Sequence, residues 1–466
     1  MSANLVDRLA AAVHAGMPRA REDLARLVAI RSVANPTVEP PSECEAAAAL
    51  VGELFTEAGV DGIQAHRTSD GSLAVVGRTR AAAGAPTVLL YSHYDVVPVG
   101  DLAAWRTPPW ELTELDGRWY GRGAADCKGN LVATLLALRA VHEVLGGWPV
   151  EVAVVCEGSE EQSSGGMEAL ARARPDLVQC DALVLADTGN VEAGLPTFTT
   201  SLRGTGSVLV TVRTLQHPAH SGMFGGAAPD ALQALLMTLA SLRGPDGETT
   251  IDGLSHDGVW SGAPVDVERF RDDAGLLEGV EPLAGTGSIA DLLWSRPAAT
   301  VLAIDAPPVS QVTAAIQGEA RAVVNLRVPA GTDAKGAQEL LIAHLRSHTP
   351  FGAQVEVKPV SLGQGFAART DGPAYAAMRR AMRAAFGREP VETGQGGSIP
   401  LATALAEVVP DAEILLVGVE EPAARIHAPN ESVDPQELCR TALAQALFLA
   451  ELGGRLEGGA PADDPD

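Results

Sequence analysis

The sequence predicts an α/β protein, a mostly parallel, doubly wound sheet with an inserted α+β domain. Three observations point there. Short apolar runs at 88–91, 150–156, 183–186 and 414–419 read as strands covered on both faces, with helical segments between them. From about residue 203 the texture changes to alternating strands at 206–213, 320–328 and 353–360, as in an antiparallel sheet with one exposed face. After Gly365 the first texture returns. The expected divisions are therefore 1–202 and 363–453 for the first domain and 203–362 for the insertion. A tail at 454–466, rich in Gly, Ala, Pro and Asp, is expected to be disordered.

Each element has its own signal. Residues 4–30 carry apolar positions at helical spacing, and the prolines at 34–41 break the pattern. Ser42-Glu-Cys-Glu45 predicts a capping box for a helix ending near Ala58, before Gly59. A short strand is expected at 72–76, followed by the strand at 88–91. A Trp- and Pro-rich loop covers 105–119, and the Gly-rich turn 120–130 leads into a helix at 131–145. Helices follow at 167–173, 229–242, 335–347, 375–386 and 435–452. Residues 251–295 read as irregular, and 393–400 as a Gly-rich loop.

Composition narrows the function. The chain has 466 residues, 46% hydrophobic and 20% charged, enough to bury a large core. A formal net charge of -25 argues against nucleic acid or an anionic membrane as a partner. The five cysteines are scattered and form no CxxC pair, which predicts reduced thiols and a cytoplasmic protein. The N-terminal segment mixes acids and bases, so no signal peptide or membrane span is expected.

The chemistry gathers where strands end. His93 and Asp95 follow the 88–91 strand, two residues apart and so on the same side of an extended chain. Glu160 and Glu161 follow the 150–156 strand, Asp187 follows 183–186, and His427 follows 414–419. Asp126 lies in the Gly-rich turn. In an open parallel sheet such groups meet in the crevice outside the carboxyl ends of the strands. Two imidazoles and three carboxylates form a ligand set for two borderline divalent ions, most simply Zn²⁺, with Mn²⁺ or Co²⁺ as alternatives. Glu160 remains as a general base toward a water that two such ions hold and acidify.

Several motifs carry a resemblance: His93-Tyr-Asp95-Val-Val-Pro, Gly121-Arg-Gly-Ala-Ala-Asp126, Glu157-Gly-Ser-Glu-Glu161, Asp187-Thr-Gly and His427-Ala-Pro-Asn-Glu431. Together they resemble the carnosinase/aminoacylase superfamily of two-metal peptidases and deacylases, in particular its carnosinase-like dipeptidase branch. The resemblance implies that His93, Asp126 and Asp187 hold one ion and that Asp126, Glu161 and His427 hold the other. It makes Glu160 the base and Asp95 the group orienting His93, and it implies a cis Asp126–Cys127 peptide, with Cys127 outside the metal shell. It further implies that His220 reaches into a partner subunit's site to stabilise the oxyanion. Arg327 would grip the substrate carboxylate, and Gly397 and Ser398 belong to a substrate-contacting loop. The insertion would be the lid and dimerisation domain of a homodimer.

The expected activity is hydrolysis of dipeptides at the amide next to a free carboxylate. The alternative is an N-acyl-amino-acid deacylase or desuccinylase. Asp at 187, where deacylase relatives usually carry Glu, and the long insertion both favour dipeptides. One departure stands out: the Asn that dipeptidase relatives often carry shortly before that Arg is absent, the chain reading Thr313-Ala-Ala-Ile316. A non-catalytic binding descendant would have lost Glu160 or a ligand, and none is missing.

Overall fold

The computed structural model describes residues 3–162, 164–283, 286–397 and 399–455; Ser398 and the expected tail from 456 onward lie outside them. The described residues form two units, one taken from the stretches up to 200, 368–393 and 400–455, the other from 201–367 and 394–399.

In the first unit the strands run in the order Asp61–Arg67, Leu73–Arg78, Glu151–Glu157, Thr87–His93, Ala182–Ala186, Glu413–Val417 and Thr197–Leu202. The middle four are mutually parallel and the outer pairings antiparallel. All four parallel strands thus end on one side, with His93 directly opposite Glu157. Alternate residues Val88, Leu90, Val152, Val154, Val184 and Leu415 share a core with helices Ala3–Val28, Lys128–Leu145, Pro373–Phe386 and Pro435–Leu452. Their neighbours Leu89, Tyr91, Ala153, Val155, Leu183 and Leu185 are buried too. Both faces are covered, which explains why these strands show no alternation.

The second unit is a four-stranded antiparallel sheet in the order Ala298–Asp305, Glu319–Val328, Gly204–Arg213 and Gln354–Gly363. Helices Ala231–Ala240 and Ala334–Ser347 cover one face through Val208, Val210, Ala322, Val324, Leu235 and Leu341.

Several local expectations change. The capping box does not form: the helix begins at Pro41 with Pro40 as N-cap and no side-chain cap. Proline's fixed φ and missing N–H suit that first turn, so Ser42 is already helical. The 105–119 loop contains the short strand Thr113–Leu115, paired with Arg118–Tyr120. The 251–295 stretch contains a helix, Val267–Asp273. Strands Asp61–Arg67, Thr197–Leu202 and Ala298–Asp305 and helix Pro400–Val408 were not expected.

Candidate metal centre

Just past the carboxyl ends of the parallel strands, the other four expected ligands of the first unit gather around Asp126. His93 Nε2 lies 3.2 Å from Asp126 Oδ1 and 3.2 Å from Asp187 Oδ1. His427 Nε2 lies 2.9 Å from Asp126 Oδ2 and 3.1 Å from Glu161 Oε2. The two oxygens of Asp126 therefore face different imidazoles. Ligands about 2.0–2.1 Å from a tetrahedral ion lie about 3.3 Å apart, close to these gaps.

Neighbouring groups hold each ligand. His93 Nδ1 sits 3.3 Å from Asp95 Oδ1 and 3.1 Å from the Asp95 carbonyl, which turns Nε2 toward the cluster. The same Asp95 carboxylate accepts the backbone N–H of Glu160 and of Glu161, each at 3.1 Å. One carboxylate thus sets both the imidazole and the Glu160–Glu161 turn. Ser159 and Ser164, on either side of that turn, donate to Asp70 on the hairpin between the first two strands.

Glu431 does the same for the bridging residue. Its Oε1 accepts the N–H of Ala125 and Asp126, each at 3.1 Å, and its Oε2 accepts Gly123 N–H at 3.0 Å and Arg122 Nη1 at 2.5 Å. Arg122 and Glu431 are both buried, so the pair is tolerated only because backbone donors complete it. The turns carrying Asp126 and His427 are tied together by this carboxylate. In the second turn Arg425, His427 and Asn430 have φ of 54°, 61° and 67°, a strained conformation for residues with side chains. The Asp126–Cys127 peptide is cis.

The electrostatics show what the cluster lacks. Burial raises the Asp187 carboxyl to about 6. Burial, then the charge of Asp187, pushes Glu160 up to about 9. Hydrogen bonds to Asp126 and Glu161 raise His427 to about 10. The carboxylates repel one another, and among the described residues of the cluster positive charge comes from protonation of its two imidazoles. Among the described residues, Glu161 Oε1 is buried without a hydrogen-bond partner. A mixed N/O set with an orphaned carboxylate oxygen fits two divalent cations, which would neutralise the carboxylates and reverse the shifts.

Cys127 comes nearer than expected, its sulfur offering a ligand atom within 4.8 Å of those of His93 and Asp187. Its thiol donates to the Ala186 carbonyl at 2.9 Å and burial pushes its pKa up, so it stays protonated. Two further groups carry no role in the sequence expectations. Glu431 closes the motif that begins at His427. Glu420, buried beside Asp126 and Asp187, follows an apolar strand by three residues, as Glu160 does. The rule that singled out Glu160 applies equally to it.

The second unit holds the remaining candidates. His220 is exposed, pairs with Ala315 across two short strands, and accepts Gly222 N–H at 3.1 Å on Nδ1. Arg327 lies on the Glu319–Val328 strand, and burial lowers its pKa. Arg203 lies nearby, donating to the Arg327 carbonyl at 3.4 Å, and was not expected. Gly397 is exposed in the 394–399 segment.

The raised groups fix a pH dependence for the metal-free protein. Asp187, Glu160 and His427 bind protons more tightly folded than unfolded. Their stability is intact below the ordinary pKa of each and is lost as pH rises through the raised one. Asp126 is shifted the other way with a window below the ordinary 3.8, and burial lowers Lys128 to about 7, which opposes the fall only above that pH. The Tm of chelator-stripped protein should therefore fall between about pH 5 and about pH 7, and added Zn²⁺ should flatten the fall. A stripped protein whose Tm rises across that range would contradict the electrostatics.

Known proteins are similar along most of the chain. Residues 89–451 match the family described as Peptidase family M20/M25/M40. A cysteinylglycine-S-conjugate dipeptidase from Corynebacterium striatum is 44% identical over 413 residues, 88% of this chain and 90% of that one. A Beta-Ala-His dipeptidase from Homo sapiens is 27% identical over 383 residues, 78% of this chain and 74% of that one. The crystal structure of human carnosine dipeptidase 1 matches with a TM-score of 0.77 at 23% identity, covering 97% of this chain and 99% of that one, a likeness of fold. By the length of the family match and the 44% identity, this chain belongs to peptidase family M20/M25/M40, a family of metallopeptidases.

Proposed function

We propose that this protein is a cytoplasmic dipeptidase that cuts the amide next to a free C-terminal carboxylate, using two divalent ions, Zn²⁺ first and Mn²⁺ or Co²⁺ as alternatives. The observation that carries the reading is the convergence of two imidazoles and two further carboxylates around Asp126, with Glu160 beside them. The dipeptidase names of the similar proteins supply the substrate class. Five unpaired cysteines support the reducing compartment.

On this reading His93, Asp126 and Asp187 would hold one ion, and Asp126, Glu161 and His427 the other. When bound, such ions supply Lewis acidity and can lower the pKa of a water to about 7. Asp95 keeps His93 in the tautomer whose Nε2 is free. Glu160 takes the proton of the attacking water and returns it to the leaving nitrogen. In the inserted domain Arg327 grips the substrate carboxylate with a planar guanidinium, and Gly397 and Ser398 are assigned to the substrate-contacting loop. His220 of one copy serves the other copy's site, donating to the oxygen on which charge develops.

A homodimer through the inserted domain has support within that unit. Met223, three residues after His220, is 76% exposed, and Phe224 is exposed beside it. Ala298–Asp305 is an edge strand that leaves Val301, Leu302 and Ile304 in solvent. An apolar unpaired edge calls for a cover.

Amino acid release from Ala-Ala and Cys-Gly should outpace release from acetyl- or succinyl-amino acids. Glu160→Gln should lower kcat by about 10²–10⁴ while two ions per chain remain. Faster turnover of the acylated set would make the protein a deacylase, and full activity in the variant would remove Glu160 from the mechanism. Mixing inactive His220→Ala chains with inactive Glu160→Gln chains should restore part of the activity. No recovery in verified mixed dimers would contradict the exchange of His220 between copies.

A further inference from the structure

Glu420 has no part in the reading above, yet it is only 6% exposed and surrounded by like charge. Asp126, Asp187 and Glu420 each offer an oxygen within 4.8 Å of the others. The backbone delivers it there deliberately. Past the paired ends of Ala182–Ala186 and Glu413–Val417, the two chains continue side by side, with Gly189 bridged to Glu420. Asn190 N–H donates to the Glu420 carbonyl at 2.8 Å. The approach is close: a Cβ at Gly418 would stand 1.9 Å from the Thr188 carbonyl oxygen, so only glycine fits.

The side chain is aimed as well as placed. Asn130, buried in the first turn of Lys128–Leu145, donates from Nδ2 to Glu420 Oε1 at 2.9 Å. Its Oδ1 accepts Val419 N–H at 2.8 Å, which pins both atoms of the amide. One Glu420 oxygen is thus satisfied by a neutral donor. A buried carboxylate among carboxylates needs a proton, further donors or a cation. Glu161 Oε1, buried and without a partner among the described residues, is a second sign that this crevice is built around positive charge.

We propose that Glu420 is a further oxygen ligand of the metal centre, facing the ion held by His93, Asp126 and Asp187, with Asn130 as its positioning residue. This rests on the reading of those three side chains as metal ligands. An added carboxylate makes that position harder and more anionic than its partner, so the two positions differ in affinity. Glu420 and Asn130 then bear on which ion the protein retains.

The test is Zn²⁺ affinity, measured by chelator competition on stripped Glu420→Gln, with His93→Ala beside it. Glu420→Gln should weaken one of the two ions by about 10–100-fold and leave the other unchanged, and Glu420→Asp should recover part of the loss. The Tm of the stripped Gln variant should equal or exceed that of stripped wild type, because the amide is neutral without a proton and keeps an acceptor for Asn130. Wild-type affinity for both ions in Glu420→Gln, with an ion lost in His93→Ala, would overturn this proposal alone. Wild-type affinity in both variants would overturn the metal centre itself. A lower stripped Tm with unchanged affinity would make Glu420 a structural brace and sink the proposal.

Discussion

Carboxylates crowded into a buried crevice are the constraint on which this structure turns. Asp126, Asp187, Glu160, Glu161 and Glu420 meet at the ends of four parallel strands, with two imidazoles among them. Without cations the burden falls on protons, which is why Asp187 and Glu160 are held well above the usual carboxylate range. The arrangement costs folding stability and makes chemical sense once divalent ions enter it. Catalytic groups and metal ligands are then one electrostatic system. On the proposed reading, an ion that neutralised Asp126 would also bring Glu160 down toward a pKa useful for a base.

Holding such a cluster open takes a rigid frame. The parallel sheet supplies the direction, since every strand covered on both faces delivers its next residues to the same edge. Carboxylates outside the cluster supply the rest. Asp95 fixes an imidazole and a turn at once, and Glu431 gathers three backbone N–H groups and Arg122 around the approach to Asp126. Asp70 holds both flanks of the Glu160–Glu161 turn. Each links segments far apart in sequence, so loss of one is felt at more than one ligand.

Much of this was legible in the sequence for a physical reason. Buried parallel strands are uninterrupted apolar runs, and the polar residues that follow them can only lie at the sheet edge. His93, Asp187, Glu161 and His427 could be placed that way, and the change to alternating strands exposed the second sheet. Other features were hidden. Asp61–Arg67 is a mostly exposed edge strand without an apolar run, and Ala298–Asp305 carries apolar residues on its exposed face. The role of Glu431 depends on backbone N–H groups more than 300 positions away, which no local pattern records. Glu420 failed for a different reason: its neighbour Glu421 and the following proline resemble a solvated turn, although Glu421 pairs with Arg118 and is itself buried.

The central claim is that Asp126 stands between two cations. Anomalous diffraction at the zinc edge from crystals grown with Zn²⁺ tests it most directly. Two peaks should appear, one among His93, Asp126 and Asp187 and the other among Asp126, Glu161 and His427. A single peak, or two that leave Asp126 untouched, would contradict the account.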